Sequence, residues 1–166
     1  MSKNKAKTLP FLLALALGST AAMSTAHYYL PKRVSALECH ESPSPGTPGG
    51  VLNFVPRGVM NWNKSTTGGV NCPVHLLPGT WYNIEATFLS NRTNGSVTID
   101  CNLRQFDGFS GVLLSEDKNV AGLSAGTSGS IIWYNIMSYS ADSYFGLNCR
   151  LPPRTGILNI MVTPEL

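Results

Sequence analysis

The stretch WYNIEATFLSNRTNGSVTIDCNLRQF, residues 81–106, decides the fold class of this 166-residue chain. Two runs in it, 81–89 and 96–106, alternate apolar and polar side chains. Successive side chains of a β-strand point to opposite faces, so each run predicts a strand with one buried and one solvated face. The apolar phases are filled by Tyr82, Ile84, Ala86 and Phe88, and then by Val97, Ile99, Cys101 and Leu103.

The segment between the two runs predicts a hairpin of definite register. Asn94-Gly95 is typical of a two-residue hairpin turn, and counting back from it sets Glu85 opposite Arg104. A turn at Arg92-Thr93 would instead oppose Glu85 and Asp100, and like charges directly opposite destabilise a sheet. We therefore predict that the two strands are neighbours in one sheet, with Glu85 beside Arg104.

The rest of the chain shows the same period of two. A segment rich in Ser, Pro and Gly, residues 42–50, predicts a loop, and alternation bounded by turn residues recurs after it. Short strands at this spacing are typical of an all-β single β-sandwich domain. We predict further strands at 51–55, 59–62, 69–72, 111–115, 130–136, 144–151 and 157–163. Trp133 and Tyr134 should point to opposite faces.

The N-terminus is typical of a cleaved signal peptide. Three lysines precede the apolar run 9–17, which is too short to span a bilayer, and small residues follow with cleavage predicted after Ala22 or Ala26. The predicted organisation is a signal peptide at 1–26, an N-terminal segment and loop at 27–50, and a β-sandwich domain at 51–166. The protein should be secreted or periplasmic, with no stable membrane span after cleavage.

Removal of the signal changes the charge balance. The whole chain carries a formal charge of +3 from twelve basic and nine acidic residues, and three of the basic residues lie in the signal. Nine basic residues then balance nine acidic ones. A nucleic-acid partner is therefore excluded, because a nucleic-acid-binding protein needs a basic stripe or arm.

Four cysteines following an export signal predict two disulfides. Cys101 and Cys149 both share the apolar phase of their strands, so both should point into the core and pair there. Cys39 precedes the Pro-rich loop and Cys72 ends a strand, so their pairing would tie the N-terminal segment onto the sheet.

Three stretches of the sequence carry a resemblance to a known group of proteins. They are Val70-Asn71-Cys72-Pro73-Val74, residues 97–103, and residues 144–153. Together they resemble uncharacterised exported bacterial β-domain proteins with two disulfides, a Cys-Pro motif, a strand Cys and a late Cys-x-Leu-Pro-Pro. The resemblance implies export and the fold, and it carries over no activity to this chain.

Candidate catalytic groups are sparse. Glu85 and Asp100 could act as paired carboxylates in glycoside hydrolysis, but in the preferred register Glu85 would form a solvated ion pair with Arg104 instead. The sequence around Ser110 lacks the second glycine that a nucleophile elbow requires. The sequence therefore favours a protein without catalytic residues.

Two metal sites are conceivable from the histidines. Cys39-His40 with Cys72-x-x-His75 has zinc-like ligands, although cysteines in an oxidising compartment pair instead. Cleavage after Ala26 would expose His27, whose amine and imidazole could chelate copper with His40 or His75. That arrangement resembles the histidine brace of lytic polysaccharide monooxygenases. With disulfides preferred and the cleavage bond open, we predict no metal and no cofactor.

A sugar-binding face is the most specific binding site that the sequence suggests. Trp81, Asn83, Asn102 and Arg104 lie in the polar phases of the predicted hairpin, where an aromatic ring could stack on a sugar and polar neighbours could bind its hydroxyls. Alternatively, Trp81 packs beneath a loop or against a second sheet. The leading hypothesis is a non-catalytic exported module that interacts with a surface, matrix or envelope component. A carbohydrate-binding module is the alternative and a copper-dependent polysaccharide-active enzyme the third, with the oligomeric state left open.

Overall fold

The computed structural model describes residues 30–43, 49–56, 58–108 and 111–165. These ranges form eleven β-strands and one short 3₁₀ turn at Ala36–Glu38, with no α-helix. The strands are β1 Lys32–Val34, β2 His40–Glu41, β3 Leu52–Val55, β4 Gly58–Asn61, β5 Gly68–Val74, β6 Trp81–Ser90, β7 Val97–Asp107, β8 Gly111–Leu123, β9 Ser128–Met137, β10 Tyr144–Leu151 and β11 Thr155–Pro164.

The strands form two antiparallel sheets packed face to face. The first sheet has the order β3-β4-β11-β6-β9, with β1 also pairing with β11, and the second has the order β2-β5-β10-β7-β8. From β4 onward, successive strands are placed as in a jelly roll, a two-sheet double Greek key. The predicted all-β sandwich is confirmed. The segment 27–50 was expected to precede the sandwich, but its described residues Lys32–Val34 and His40–Glu41 form β1 and β2 and join the two sheets.

The core consists of the inward phases of both sheets. Phe88 and Trp133 from the first sheet, and Leu103 and Phe145 from the second, are almost fully buried. Burying one such side chain contributes about 1.5–3 kcal/mol. Trp133 is buried whereas Tyr134 is 57% exposed, which confirms that they point to opposite faces.

The predicted hairpin is wrong, because β6 and β7 belong to different sheets. β6 pairs with β11 and β9, where Glu85 lies opposite Met161 and Ile132. β7 pairs with β10 and β8, where Arg104 lies opposite Gly146 and Ser115. Two amphipathic strands bury their apolar phases equally well side by side or face to face, so alternation does not distinguish the two arrangements.

The connection between β6 and β7 makes the crossing possible. Its six residues, 91–96, can span the ~10 Å between packed sheets, which a two-residue turn cannot do. Gly95 does adopt a left-handed conformation, with φ of 70°. The Asn94-Gly95 pair therefore makes a turn, but inside a connection between sheets.

Both predicted disulfides are present, Cys39–Cys72 and Cys101–Cys149. Cys101 and Cys149 are direct partners on the adjacent strands β7 and β10. Cys39 lies between the 3₁₀ turn and β2 and joins β5 at Cys72. The second bridge therefore joins two strands inside one sheet, and the first fixes the N-terminal segment to the same sheet.

Strand β8 extends well past the predicted 111–115. Its residues Glu116 and Lys118 occupy the inward phase and lie against the edge of the first sheet. Lys118 Nζ donates to the Ile132 carbonyl oxygen at 2.8 Å, and Trp133 Nε1 donates to that of Glu116 at 3.3 Å. Inward-pointing charges of this kind prevent the edge strand from pairing with another chain. They also interrupt the apolar phase of β8, so the sequence pattern did not predict the strand beyond residue 115.

The Glu41 side chain binds the backbone that follows the Pro-rich loop. Residues 44–48 of this loop lie outside the described ranges. The Glu41 carboxylate accepts hydrogen bonds from the Gly50 amide and, at 2.6 Å, from the Leu52 amide. Burial on its own raises the pKa of Glu41, but these amides and that of Val51 outweigh it and hold the pKa below its ordinary value.

The two disulfides should contribute unequally to stability. The chain-entropy model gives about 4 kcal/mol for each bridge, because the residue separations of 33 and 48 differ little. We expect Cys101→Ala/Cys149→Ala to cost more than Cys39→Ala/Cys72→Ala, because the former unties two central strands. Urea unfolding of both double variants measures the difference, and an equal or reversed order would contradict it.

The lowered pKa of Glu41 predicts a pH-dependent contribution to stability. A carboxyl with a depressed folded-state pKa stabilises the fold above its unfolded value of about 4.3, and this stability is lost as the pH falls through the folded value. Glu41→Gln should therefore destabilise the protein at pH 7, and the difference from wild type should shrink by pH 3. Urea unfolding at both pH values tests this, and an equal difference at both would contradict it.

Candidate functional site

The outer face of the second sheet carries a row of asparagines across its central strands. Asn71 on β5 lies directly opposite Asn148 on β10, which lies opposite Asn102 on β7. The row continues to Asp117 on β8 and, at the other edge, to His40 on β2. We call Asn71, Asn148, Asn102 and Asp117 the amide row.

Hydrogen bonds hold the amide row in a fixed arrangement. Asn71 Nδ2 donates to Asn148 Oδ1 at 2.6 Å, and Asn102 Nδ2 donates to Asp117 Oδ1 at 2.6 Å. Arg104 Nε donates to Asn102 Oδ1 at 2.5 Å. Within the described residues Asn71 Oδ1 accepts no hydrogen bond, so an acceptor remains for a ligand.

Gly146 keeps this surface flat. It lies on the outward phase of β10, between Pro73 and Arg104 on the neighbouring strands. A Cβ there would come within 3.1 Å of Asn71 Nδ2 and 3.7 Å of Asn148 Nδ2. The two amides lie over the glycine, and any side chain at this position would push the Asn71 amide outward.

An aromatic pair lies at one end of the same face. Tyr144 on β10 is the direct partner of Phe106 on β7, and their rings stack with centroids 5.0 Å apart and planes 14° apart. Tyr144 is 53% exposed. Arg104 lies two residues from Phe106 along β7, between the aromatic pair and the amide row. The face thus combines planar amides, charged side chains of both signs and an exposed ring.

The composition of this face disfavours a purely structural role. Asparagine is depleted in β-strands because it packs poorly on a pleated surface. Three asparagines at directly opposed positions therefore weaken the sheet that carries them. Each amide offers both donors and acceptors, which is the capacity needed to bind neighbouring hydroxyl groups.

The structure divides the sugar-binding face predicted from the sequence. Asn102 and Arg104 lie on the outer face of the second sheet, whereas Trp81 and Asn83 lie on the outer face of the first. Trp81 is 45% exposed, and Asn83 Oδ1 accepts from the Asn135 amide at 3.3 Å. The four residues form no common surface, because β6 and β7 are not neighbours.

Most of the face that the structure assembles was not predicted from the sequence. Asn71, Asn148 and Tyr144 occupy the polar phases of their strands, and this signal was available. Their proximity was not, because it depends on β10 pairing with both β5 and β7. These strands are separated along the chain by other strands of both sheets.

The other chemical candidates fare differently. Glu85 and Asp100 project from different sheets, so they do not form a carboxylate pair. Cys39 and Cys72 are joined to each other in a disulfide, so neither is a thiolate that could bind zinc. In the described part of the chain, no group of three or more His, Cys, Asp and Glu could hold a metal. The signal peptide, His27 and Ser110 lie outside the described residues. No helix within these residues has the length and apolarity to cross a membrane.

Comparison with known proteins finds similarity in fold only. No protein-family model matches, and no curated protein does. Similar solved structures include the family 11 carbohydrate-binding module of Clostridium thermocellum in complex with a mixed-linked tetrasaccharide, at 13% identity and a TM-score of 0.49, covering 82% of this chain and 96% of that one.

Two further structures are similar at the same level. The C-terminal family 22 carbohydrate-binding module of Clostridium thermocellum Xyn10B shows 12% identity and a TM-score of 0.49, covering 80% of this chain and 91% of that one. The Podospora anserina GH26-CBM35 mannanase shows 11% identity and a TM-score of 0.49 over 82% of this chain. The matched region is 28% of the mannanase chain. No residue of this chain takes a role from these comparisons.

Proposed function

We propose that this protein is a non-catalytic carbohydrate-binding module whose sugar ligand lies on the outer face of the second sheet, between the amide row and Tyr144. The observation that carries the proposal is the direct opposition of Asn71, Asn148 and Asn102 on three adjacent strands, kept flat by Gly146. A flat, hydrogen-bonding surface suits a saccharide chain, which presents hydroxyl groups along its edges and apolar ring faces between them.

In the proposed complex, the residues of the face have distinct tasks. The amides of Asn71 and Asn148 donate to and accept from sugar hydroxyls, and Arg104 donates to a hydroxyl or ring oxygen nearby. Tyr144 offers its ring face for stacking, supported from beside by Phe106. Across four strands the row extends ~14 Å, the length of a short oligosaccharide.

The similar structures share the fold and give no support for the roles of individual residues. Carbohydrate-binding modules are among them, and one is a complex with a tetrasaccharide. A shared fold does not imply a shared function, so the proposal stands on the face of this protein. The proposed function is narrower than the leading hypothesis from the sequence, a surface, matrix or envelope interaction module, because it names a glycan as the partner.

We also propose that the protein works outside the cytoplasm, either secreted or periplasmic. Two disulfides in a β-domain of this size support an oxidising compartment. The predicted signal peptide at residues 1–26 and the resemblance to exported bacterial proteins point the same way. A glycan-binding surface would meet polysaccharides there.

Binding of neutral oligosaccharides by purified protein tests the proposal. A glycan array identifies a ligand, and calorimetry then compares variants. We expect Asn148→Ala and Tyr144→Ala each to lower the affinity by about five- to tenfold, the equivalent of one hydrogen bond or one stacking contact. Gly146→Ala should act similarly by displacing the Asn71 amide while leaving the protein folded.

Trp81→Ala is the matched control, because it removes an exposed aromatic ring from the other sheet. We expect it to leave the affinity unchanged. Loss of binding in Trp81→Ala but not in Tyr144→Ala would place the ligand on the wrong sheet for this proposal. Absence of any glycan ligand for the folded, disulfide-bonded protein would also contradict it.

A further inference from the structure

A polar cavity of about 640 Å³ opens at one end of the sandwich, away from the amide row. Three connections form its walls: residues 62–67 after β4, 91–96 after β6 and 152–154 after β10. Each connection contributes one cation, and asparagines and a threonine also line the cavity. The lining that matters here is Lys64, Arg92, Arg154, Asn91, Thr93 and Asn94.

The cavity gathers positive charge that nothing nearby neutralises. Its lining contains Lys64, Arg92 and Arg154 and no acidic residue. Within the described ranges, no carboxylate lies in salt-bridge distance of any of the three. Like charges held together in a partly enclosed space repel one another, and this repulsion is relieved when an anion binds.

The backbone beneath the cavity is rigid. The Arg154 amide donates to the Asn61 carbonyl oxygen at 2.9 Å, and the Arg154 carbonyl oxygen accepts from the Asn91 amide at 2.7 Å. Asn61 is buried, and its Nδ2 donates to the carbonyl oxygens of Thr66 and Leu151, each at 2.8 Å. These bonds join all three connections, so the cations are held on a preformed frame.

Arg154 adopts a conformation that an arginine rarely takes. Its φ of 62° lies in the left-handed region, where glycine is unstrained and most residues with a Cβ are not. A bulky, non-glycine residue kept at such a position is a mark of functional sites. The guanidinium group is the feature that glycine could not supply.

We propose that this cavity binds the carboxylate or sulfate group of an acidic saccharide. The guanidinium groups of Arg92 and Arg154 can each form paired hydrogen bonds to such an oxyanion, and Lys64 adds a point charge. Asn91 and Asn94 offer amides to the hydroxyls of the same sugar. The choice of a saccharide as carrier of the anion rests on the proposed function, whereas the anion site itself rests on the cavity.

Calorimetric titration with digalacturonate, a short acidic saccharide, tests the site. We expect wild-type protein to bind it and Arg92→Ala to bind it at least about tenfold more weakly. The wild-type affinity should also fall as NaCl rises from about 20 mM to about 300 mM. Inorganic phosphate at the same concentration should displace the probe only weakly.

Arg154→Gly separates binding from folding. It removes the guanidinium group and relieves the strained φ, so we expect weaker digalacturonate binding together with unchanged or higher stability in urea. Lys32→Ala, which removes one exposed cation at the opposite end of the sandwich, is the charge-matched control and should bind as wild type does. Equal digalacturonate affinities for wild type, Arg92→Ala and Arg154→Gly would overturn the proposal. It would also be overturned if inorganic phosphate displaced bound digalacturonate as effectively as free digalacturonate does at the same concentration.

Failure of this site and failure of the amide row give different results. If neutral glycans bind in an Asn148-dependent manner but digalacturonate does not bind at all, only the anion site is wrong. If digalacturonate binding depends on Arg92 while the array reveals no neutral ligand, only the proposed function of the amide row is wrong.

Discussion

Burial of one phase of every long strand against the opposite sheet is the constraint on which the rest of the structure depends. Phe88, Trp133, Leu103 and Phe145 meet between the sheets, and their removal from water supplies the main driving force for folding. Because the inward-facing residues supply most of the folding free energy, the outward-facing positions are free to vary. The asparagines of the amide row occupy such outward positions.

The jelly-roll order determines which outward residues become neighbours. Strand β10 enters the second sheet between β5 and β7, so Asn148 meets Asn71 on one side and Asn102 on the other. The buried bridge between Cys101 and Cys149 fixes the register one residue away from this contact. The same bond that stabilises the sheet therefore also aligns two members of the amide row.

The two proposed sites differ in how the fold supports them. The amide row lies on regular strands, where cross-strand hydrogen bonds set the spacing of its side chains. The cavity with Arg92 and Arg154 lies on connections, and these are made rigid by backbone bonds through Asn61 and Arg154. A surface of amides on strands and a cationic pocket on connections would let one small protein bind a polysaccharide through both its hydroxyl and its acidic groups.

The sequence by itself determined most of the strands from β3 onward, the buried phase of β6 and β7 and which cysteines pair, but it missed β1, β2 and most of β8. Alternation along 81–106 and the inward phases of Cys101 and Cys149 were sufficient, because they depend on burial of single residues. It did not determine which sheet β6 and β7 join, since the apolar phase of a strand is buried equally by a neighbour or by an opposing sheet. Only the tertiary structure decided that Glu85 and Arg104 lie far apart and that Asn71, Asn102 and Asn148 form one row, because strand order depends on contacts between distant parts of the chain.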